Sequence, residues 1–486
     1  MLSVIVFLPL AAALALLVAP PAWARWLWIG ASAAEMALVV ALWIGYTPGG
    51  YDYEVNVRWI PSVSSGYHLG VDGISLPLVA LTALLFLACA VYSVRHTDRL
   101  KSYAALFLFM ESVSLGLFVS LDLILFFVFF DLSIVGMYFV IAGWGHRGAA
   151  KAAQKFFLYT FLGSLVLLLG FIGLFLAGDT FDMVELARQN PLLGKGLPSV
   201  VVLAALGVGF AIKTPVVPFH TWLPPAHTEA PAAGSAILAG VLLKMGTYGF
   251  VRIMMPILPG TWRDHAMVFV VAGVVSVLYG ALVALAQQDF KRMIAYTSVN
   301  HMGYVLLAVG AAGIVTSGPD DARQIAVTGA VTQMVSHGLI TGALFLLSGV
   351  LYQRGQTYEM DKYGGLAASA PKFAGLTALA AFASLGLPGF SGFVAEFQIF
   401  TGSLGGAPVS TALAFLGILI TAALFLRAFQ RIFLGAPTAK VGDITITEGL
   451  AIVPLVVVTV VVGVVPRFLL DVIEPASRTV VDLVSR

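Results

Sequence analysis

The chain has 486 residues, of which 60% are hydrophobic and only 10% are charged, and its mean hydropathy is +0.98. A soluble domain carries about 25% charged residues, so this composition leaves too little polar surface for a soluble fold. The formal net charge of +2, together with the lack of basic runs interleaved with aromatic residues, argues against nucleic-acid binding. The one cysteine, Cys89, excludes an internal disulfide and a CxxC metal or redox site.

Apolar segments follow one another along almost the whole chain. A membrane helix needs about 20 apolar residues, and the hydropathy pattern predicts about fourteen such spans. The first segment lacks a basic flank and is followed by more spans, so we expect a membrane helix there instead of a cleaved signal peptide. The predicted spans are 2–20, 26–46, 71–94, 103–120, 122–144, 153–177, 199–222, 228–255, 264–287, 291–315, 324–352, 372–402, 410–434 and 448–470.

Two spans contain helix-breaking residues near their middle. Pro215 and Pro218 follow Lys213, and Gly386 and Pro388 interrupt the span 372–402, so both helices should break within the membrane. Broken helices at corresponding places predict internal repeats of the transporter type.

We therefore predict an all-α polytopic membrane protein with two inverted five-helix repeats, each containing one broken helix. The predicted divisions are 1–102 for helices 1–3, 103–255 for the first repeat with helices 4–8, 256–434 for the second repeat with helices 9–13, and 435–486 for helix 14 and a tail. The longest loops, 47–70 and 178–198, are expected to be connectors.

Basic residues are more frequent in one set of alternate loops than in the other. Arg95, Lys291 and Lys440 belong to the richer set. By the positive-inside rule those loops face the cytoplasm, which predicts both termini on the outer side of the membrane.

Four charged residues fall near the middle of predicted spans: Asp131, Lys213, Lys244 and Glu396. A charge at the centre of a membrane helix costs at least about 2.5 to 3.5 kcal/mol, and intramembrane ionisable residues often belong to proton paths. Burial favours the neutral form of such groups, whereas a nearby opposite charge favours the ionised form, so pairing of Asp131 with Lys213 could switch proton release. The structural alternative is a set of buried ion pairs that hold the helices together.

Histidines are further candidates because their side chains titrate in the physiological range. For His301 and His337 a relay role and a packing role are equally plausible, whereas a structural role is favoured for His220 and His227. The histidine spacing does not predict a metal site.

Three further acids are given different expectations. Glu111 is a weaker candidate for a buried charge. Glu229 is expected to cap the helix that follows it, and Asp182 to be solvated in its loop.

Three stretches resemble the proton-translocating antiporter-like subunits of respiratory complex I, which are related to multisubunit sodium/proton antiporters. They are GFAIKTPVVPFHTWLPPAHTEAPAAGSAILAGVLLKMGTYGFVRI, QQDFKRMIAYTSVNHMGYVLLAVG and QMVSHGLITGALFLLSGVLYQR. The resemblance implies that Lys213 is the broken-helix lysine, Lys244 the bridging lysine, and His301 and His337 the histidines of the second half-channel.

Glu396 and the chain length point to one branch of that family. The stretch SLGLPGFSGFVAEF resembles the M-type, the counterpart of mitochondrial chain 4, which has a glutamate where the L- and N-types have a lysine. The L-type also has a long lateral helix after its last span, and this chain stops at Arg486. The chain departs from the family at Asp131, where the usual residue is glutamate, so a pair with Lys213 should be longer or bridged by water.

The resemblance implies a bacterial inner-membrane subunit of NADH:quinone oxidoreductase that moves protons through buried Asp, Lys, His and Glu side chains and water. No cofactor is expected in this chain, whereas FMN, iron-sulfur clusters and quinone are expected in partner subunits. The expected partners are other membrane subunits, especially the L- and N-type neighbours, and membrane lipids. The alternatives are a subunit of a sodium/proton antiporter or of a membrane-bound hydrogenase, and a structural spacer that does not pump.

Overall fold

A computed structural model describes residues 1–93, 98–315, 320–437 and 441–485. Arg95, Lys440 and Arg486 lie outside the described residues. The helices are α1 (Leu2–Val18), α2 (Ala24–Gly45), α3 (Ser75–Ser93), α4 (Leu100–Val119), α5 (Leu123–Trp144), α6 (Ala149–Gly178), α7 (Met183–Gln189), α8 (Leu197–Lys213), α9 (Leu223–Glu229), α10 (Ala232–Ile257), α11 (Pro259–Leu285), α12 (Phe290–Gly313), α13 (Asp321–Gly355), α14 (Leu366–Ser369), α15 (Pro371–Ser384), α16 (Ser391–Leu404), α17 (Pro408–Phe433), α18 (Ile446–Val464) and α19 (Arg467–Ser485).

The fold is all-α and polytopic, as the hydropathy predicts. Within the described ranges, ten helices are long and apolar enough to cross a membrane, and α1 and α8 are shorter apolar helices. Each predicted span corresponds to one helix, except that 372–402 corresponds to the broken pair α15 and α16. The span 199–222 covers α8 and the break after it, and α9 begins just beyond its predicted end. Both helix breaks lie where the prolines and glycines predict them.

The 47–70 loop contains more structure than the expected connector. Strands β1 (Asp52–Ile60) and β2 (Ser65–Val71) form a two-stranded antiparallel hairpin in which Val55 pairs with Leu69 and Val57 with Tyr67. The turn between the strands passes through Ser64, whose φ is 51°. Alternation of polar and apolar residues over a short segment is a weak signal, and hydropathy alone does not detect it.

The predicted tail is also an ordered helix. In α19 one face is buried through Leu469, Ile473, Val480 and Val484, while its charged residues are exposed. Gly73, at the end of the hairpin, approaches this helix so closely that a Cβ there would lie 3.0 Å from the carbonyl carbon of Val472. The helix therefore packs along the side of the bundle where the hairpin lies.

The N-terminus of α1 lies on that same side. The Tyr67 hydroxyl of β2 donates a hydrogen bond to Ser3 Oγ at 2.9 Å. The far end of α19 is held by Arg263, whose guanidinium donates to the Val484 carbonyl at 2.9 Å. Both ends of the described chain thus lie at one end of the bundle.

Helices α10 and α13 form the centre of the bundle and are buried over most of their length. Helix α10 contains two π-helical stretches, Leu238–Leu242 and Phe250–Met254. Such stretches are rare and occur frequently at functional sites. Lys244 lies between the two stretches, so the central helix is irregular on both sides of this lysine.

Two acids differ from their expected roles. The Glu229 carboxylate accepts a hydrogen bond from the Gly148 amide at 2.8 Å and so caps α6, not the helix that follows it. Asp182 is not simply solvated, because it caps α7 through the Glu185 amide and contacts His68 Nδ1 at 2.6 Å. In both cases the carboxylate has a partner that is distant in sequence, which local spacing does not reveal.

Candidate functional site

The first buried charge stands at the end of a broken helix. Helix α8 ends at Lys213, and the freed carbonyl of Ile212 accepts a hydrogen bond from the Trp222 indole at 2.9 Å. The amide of Val217 in the break donates to Ser276 Oγ at 3.0 Å. The carboxyl end of a helix carries partial negative charge, which favours a cation at this position.

The Lys213 amine has a hydroxyl as its partner. Its Nζ donates to Ser133 Oγ at 2.9 Å and lies 4.7 Å from the centre of the Phe130 ring. The side chain is only 2% exposed. Ser133 in turn donates to the Phe130 carbonyl at 2.6 Å, so its hydroxyl is oriented to accept from the lysine.

Asp131 lies near Lys213 but does not form a close pair with it. The two side chains interact electrostatically, yet neither carboxylate oxygen comes within 4.0 Å of Nζ. Asp131 instead interacts with the Ser164 side chain, and its Oδ1 has no partner within the described part of the chain. The predicted longer separation is therefore present, with one serine beside each member of the pair.

Lys244 begins a second set of contacts in the centre of the bundle. Its Nζ lies 2.6 Å from His337 Nδ1 on α13 and 2.5 Å from the Ala239 carbonyl. Both ionisable side chains are buried, Lys244 completely. A lysine amine in direct contact with an imidazole nitrogen can exchange one proton with it.

The contacts continue from His337 to the second broken helix. The rings of His337 and His301 are 5.4 Å apart between centres. His301 Nε2 lies 3.2 Å from the Ser384 carbonyl, which is at the end of α15, and 3.9 Å from Glu396 Oε1 on α16. The helix break thus exposes a carbonyl that orients the imidazole toward the carboxylate.

Backbone freedom at the second break leaves room for the Glu396 side chain. Gly386 has a φ of +75°, and a Cβ at this position would lie 3.3 Å from Glu396 Cδ. Only glycine adopts this conformation readily, and it keeps the backbone close to the carboxylate. A small cavity of about 10 Å³ borders the site and is lined by His301, Gln333, His337 and Glu396 among others. A cavity needs roughly 10 to 15 Å³ to hold a water molecule, so this space is at the lower limit for a single water.

The two charged regions are adjacent but not in direct contact. Helix α10 passes close to the end of α8, where a Cβ at Gly246 would lie 2.8 Å from both the Phe210 carbonyl and the Thr214 amide. Lys213 and Lys244 share no hydrogen bond among the described residues, so proton transfer between them would need an intermediate group.

The six predicted site residues thus fall into two groups. Lys244, His337, His301 and Glu396 form one chain of contacts, while Asp131 and Lys213 are separated neighbours. Ser133 and Ser164 were not predicted, because serine is common in membrane helices and only tertiary contacts identify these two.

The two histidines assigned a structural role lie outside the chain of contacts. His220 packs on the Tyr279 ring at 5.0 Å, and His227 stacks on Phe345 at 4.5 Å. No cluster of three or more His, Cys, Asp or Glu side chains suited to a metal occurs in the described ranges.

The chain resembles known proteins over its full length. Residues 120–421 match the family described as NADH:quinone oxidoreductase/Mrp antiporter, TM. NADH-quinone oxidoreductase subunit M of Rickettsia bellii is 40% identical over 87% of this chain and 84% of its own length. Its counterpart in Rhodobacter capsulatus is 39% identical over 99% and 96%. F(420)H(2) dehydrogenase subunit M of Methanosarcina mazei is 38% identical over 89% and 87%.

Solved structures show the same fold. A chain of respiratory complex I from Thermus thermophilus with bound NADH superposes with a TM-score of 0.91 and 30% identity, covering all of both chains. A chain of the Mrp complex from Dietzia sp. has a TM-score of 0.86 and 23% identity, covering 99% of this chain and 98% of its own. The second likeness concerns the fold alone.

Proposed function

This chain belongs to the NADH:quinone oxidoreductase/Mrp antiporter transmembrane family, and we propose that it is the proton-translocating M subunit of an NADH:quinone oxidoreductase. The observation that carries this proposal is the buried chain of contacts from Lys244 through His337 and His301 to Glu396. Each of these groups can accept and release a proton, and none is paired in a way that fixes its charge.

The first step of the proposed relay is a change of partner at Lys213. In the contact with Ser133 the amine has a neutral acceptor, whereas approach of Asp131 would give it an anion and hold its proton. Movement of α5 or of the broken helix by a fraction of its diameter would exchange these partners. Release from Lys213 then sends one proton toward Lys244 through water near the helix break.

The second step passes the proton along existing contacts. Lys244 gives it to His337 Nδ1, the opposite nitrogen of that ring releases a proton toward His301, and His301 passes one to Glu396. The small cavity beside these side chains has room for about one water molecule, which would bridge a gap longer than a hydrogen bond. Each transfer leaves the donor ready to accept again, so charge does not accumulate along the chain.

The redox chemistry belongs to other subunits in this proposal. FMN, iron-sulfur clusters and quinone would be held by partner chains, with L- and N-type antiporter-like subunits as direct neighbours. A related M subunit is named for F(420)H(2) dehydrogenase, which supports a membrane module that serves different electron donors. The location proposed is the bacterial inner membrane, with the hairpin, α19 and both termini on the outer side.

Pumping by the intact complex in membrane vesicles tests the relay. We expect Lys213→Ala and Glu396→Gln to assemble but to reduce NADH-driven proton uptake by about 100-fold, a typical contribution of a proton-transfer group. Lys195→Ala and Glu474→Gln replace exposed residues of the same types and should pump normally. If the buried variants assemble and also pump normally, the charges are structural and the chain is a spacer.

A further inference from the structure

Two buried glutamates lie outside the relay, in the N-terminal helices. Glu35 is near the middle of α2 and Glu111 near the middle of α4, and both side chains are completely buried. An ionised carboxylate at such a depth is costly unless it has a partner. Neither residue belongs to the chain of contacts that ends at Glu396, so the relay does not account for them.

The geometry directs both carboxyl groups to the same contact between α2 and α4. Ser32 Oγ donates a hydrogen bond to Glu111 Oε2 at 2.8 Å. Ser32 and Glu35 are three residues apart on α2 and therefore project from the same face of the helix. Glu35 and Glu111 also interact electrostatically. Glu35 is thus directed at the helix that carries Glu111.

Most carboxylate oxygens of Glu35 and Glu111 have no hydrogen-bond donor. Glu111 Oε1 and both carboxylate oxygens of Glu35 have no partner in the described residues. No described Lys, Arg or His forms an ion pair with either glutamate, and the remaining ionisable neighbour of Glu111 is the Cys89 thiol on α3. An ionised carboxylate only accepts hydrogen bonds, whereas a protonated one also donates.

One bound proton would satisfy these groups. Placed on Glu35, it turns one of the carboxyl oxygens without a partner into a hydrogen-bond donor, while Ser32 donates to Glu111 Oε2. Two buried carboxylates that interact electrostatically repel each other when both are anionic, and burial also disfavours the charged form, so a proton on one of them is favoured.

We propose that Glu35 and Glu111, with Ser32, form a proton-binding site that is separate from the Lys213 to Glu396 relay and stays occupied at neutral pH. The ligand is one proton, held by the pair of carboxyl groups. The site lies between α2 and α4, and none of its residues belongs to the chain of contacts from Lys244 to Glu396, so a proton can bind there without passing through the relay.

Infrared spectroscopy of the intact complex tests this site without measuring pumping. A protonated carboxyl has a C=O stretching band that is distinct from carboxylate and shifts when H₂O is replaced by D₂O. At neutral pH we expect such a band in the wild-type complex and its loss in Glu35→Gln/Glu111→Gln. The control Glu474→Gln, at an exposed glutamate, should keep the wild-type band.

A second variant guards against a failure to fold. Ser32→Ala keeps both carboxyls and removes one donor to Glu111, so we expect the band to remain but shift in frequency. A double variant with the complete wild-type band would overturn the proposal, as would a Ser32→Ala band at the wild-type frequency. A band that appears only after sodium is removed would identify a metal cation as the ligand and overturn the proposal as well. Because the readout is spectroscopic, its failure would leave the relay proposal unaffected.

Discussion

The two charged regions of the proposed relay differ in how their acids and bases contact one another. Around Lys213, the amine and the Asp131 carboxylate are more than 4.0 Å apart and each has a serine beside it. Around Lys244, the amine touches His337 directly, and the contacts continue to Glu396. One region holds its charges apart, and the other joins its titratable groups into a chain.

This difference indicates a division of labour. The Lys213 amine has two possible partners, Ser133 and Asp131. A small movement of a helix can exchange them and so change whether the amine keeps its proton, which suits a switch. A chain of titratable groups that lie close together, with water at the gaps longer than a hydrogen bond, needs no large movement of helices, so it suits conduction. If this is correct, removal of a titratable group in either region should interrupt transfer, whereas changes to the partners of Lys213 should alter its rate.

The largest effect is expected at the histidine that joins Lys244 to His301. His337→Gln keeps a polar side chain of similar size but removes the group that accepts and releases protons. We expect proton pumping by the intact complex to fall by about 100-fold, as for loss of a proton-transfer group. His265→Gln, on α11, changes a histidine whose hydrogen bond is to the local Thr261 carbonyl and should pump normally. Near-normal pumping by His337→Gln would show that water alone carries the proton between Lys244 and His301.

A smaller effect is expected from Asp131→Glu in the first region. The extra methylene extends the carboxylate toward Lys213 and should convert the separated pair into a contact. A charged hydrogen bond of about 1.5 kcal/mol that must break in each cycle would slow coupled turnover by about tenfold. NADH-driven turnover in vesicles measures this change. Faster turnover would mean that the separation in this chain limits the rate and does not serve the switch.

The two serines offer a finer test of the same switch. Ser133→Ala removes the neutral partner of Lys213, and Ser164→Ala removes a partner of Asp131, so both should favour a direct pair. We expect each to slow coupled turnover by about threefold and the double variant to be non-additive, because the residues act on one pair.

Ser348→Ala serves as the control for the serine variants. Its buried hydroxyl bonds only to the Phe345 carbonyl within the described residues, at 2.7 Å, so the variant should behave as wild type. Strictly additive effects of Ser133→Ala and Ser164→Ala would show that the two serines act independently.

Much of the fold follows from the sequence because membrane helices must satisfy their backbone hydrogen bonds internally and expose apolar side chains to lipid. Hydropathy therefore locates every span, and Pro215 and Gly386 locate the two breaks. It does not locate the hairpin or α19, because these elements depend on amphipathic periodicity and on contacts with the bundle, such as that of Gly73 with Val472. The repeat boundaries and the orientation in the membrane stay predictions.

The sequence predicts those candidate site residues whose charge is costly to bury in a membrane helix. Lys244, His301, His337 and Glu396 are visible in the sequence because ionisable groups in apolar segments are rare. Their order in space, and the partners Ser133 and Ser164, depend on which helices pack together. Burying a serine hydroxyl in a helix costs little free energy, since the hydroxyl can donate a hydrogen bond to a backbone carbonyl of the same helix. The sequence therefore does not distinguish a serine that contacts Lys213 from any other serine.

The last expected effect is on stability instead of pumping, and it concerns a histidine outside the membrane spans whose behaviour is changed by nearby carboxylates. His68 Nδ1 lies 2.6 Å from Asp182 and its Nε2 2.7 Å from Glu54, whereas the nearest carboxylate of His301 is 3.9 Å away. Burial lowers the pKa of His68, but the hydrogen bonds and charges of Asp182 and Glu54 outweigh burial and raise it above its usual value. Burial raises the pKa of the Asp182 carboxyl, but the hydrogen bond from His68 is among the interactions that lower it below its usual value.

These shifts predict a pH window for the contact between the hairpin and the 178–198 loop. The raised pKa of His68 stabilises the fold below about pH 6.5 and loses its effect as the pH rises through that raised value. The lowered pKa of Asp182 stabilises the fold above about pH 3.9 and loses its effect as the pH falls through the lowered value. His68→Gln should cost about 1.5 kcal/mol near pH 5, at the low end for charged hydrogen bonds because Glu54 is half-exposed, and less at pH 9. Thermal unfolding of the intact complex at several pH values measures this. An equal loss at pH 5 and pH 9 would mean that His68 acts through packing, whereas a larger loss at pH 5 than at pH 9 would support its contacts with the two carboxylates.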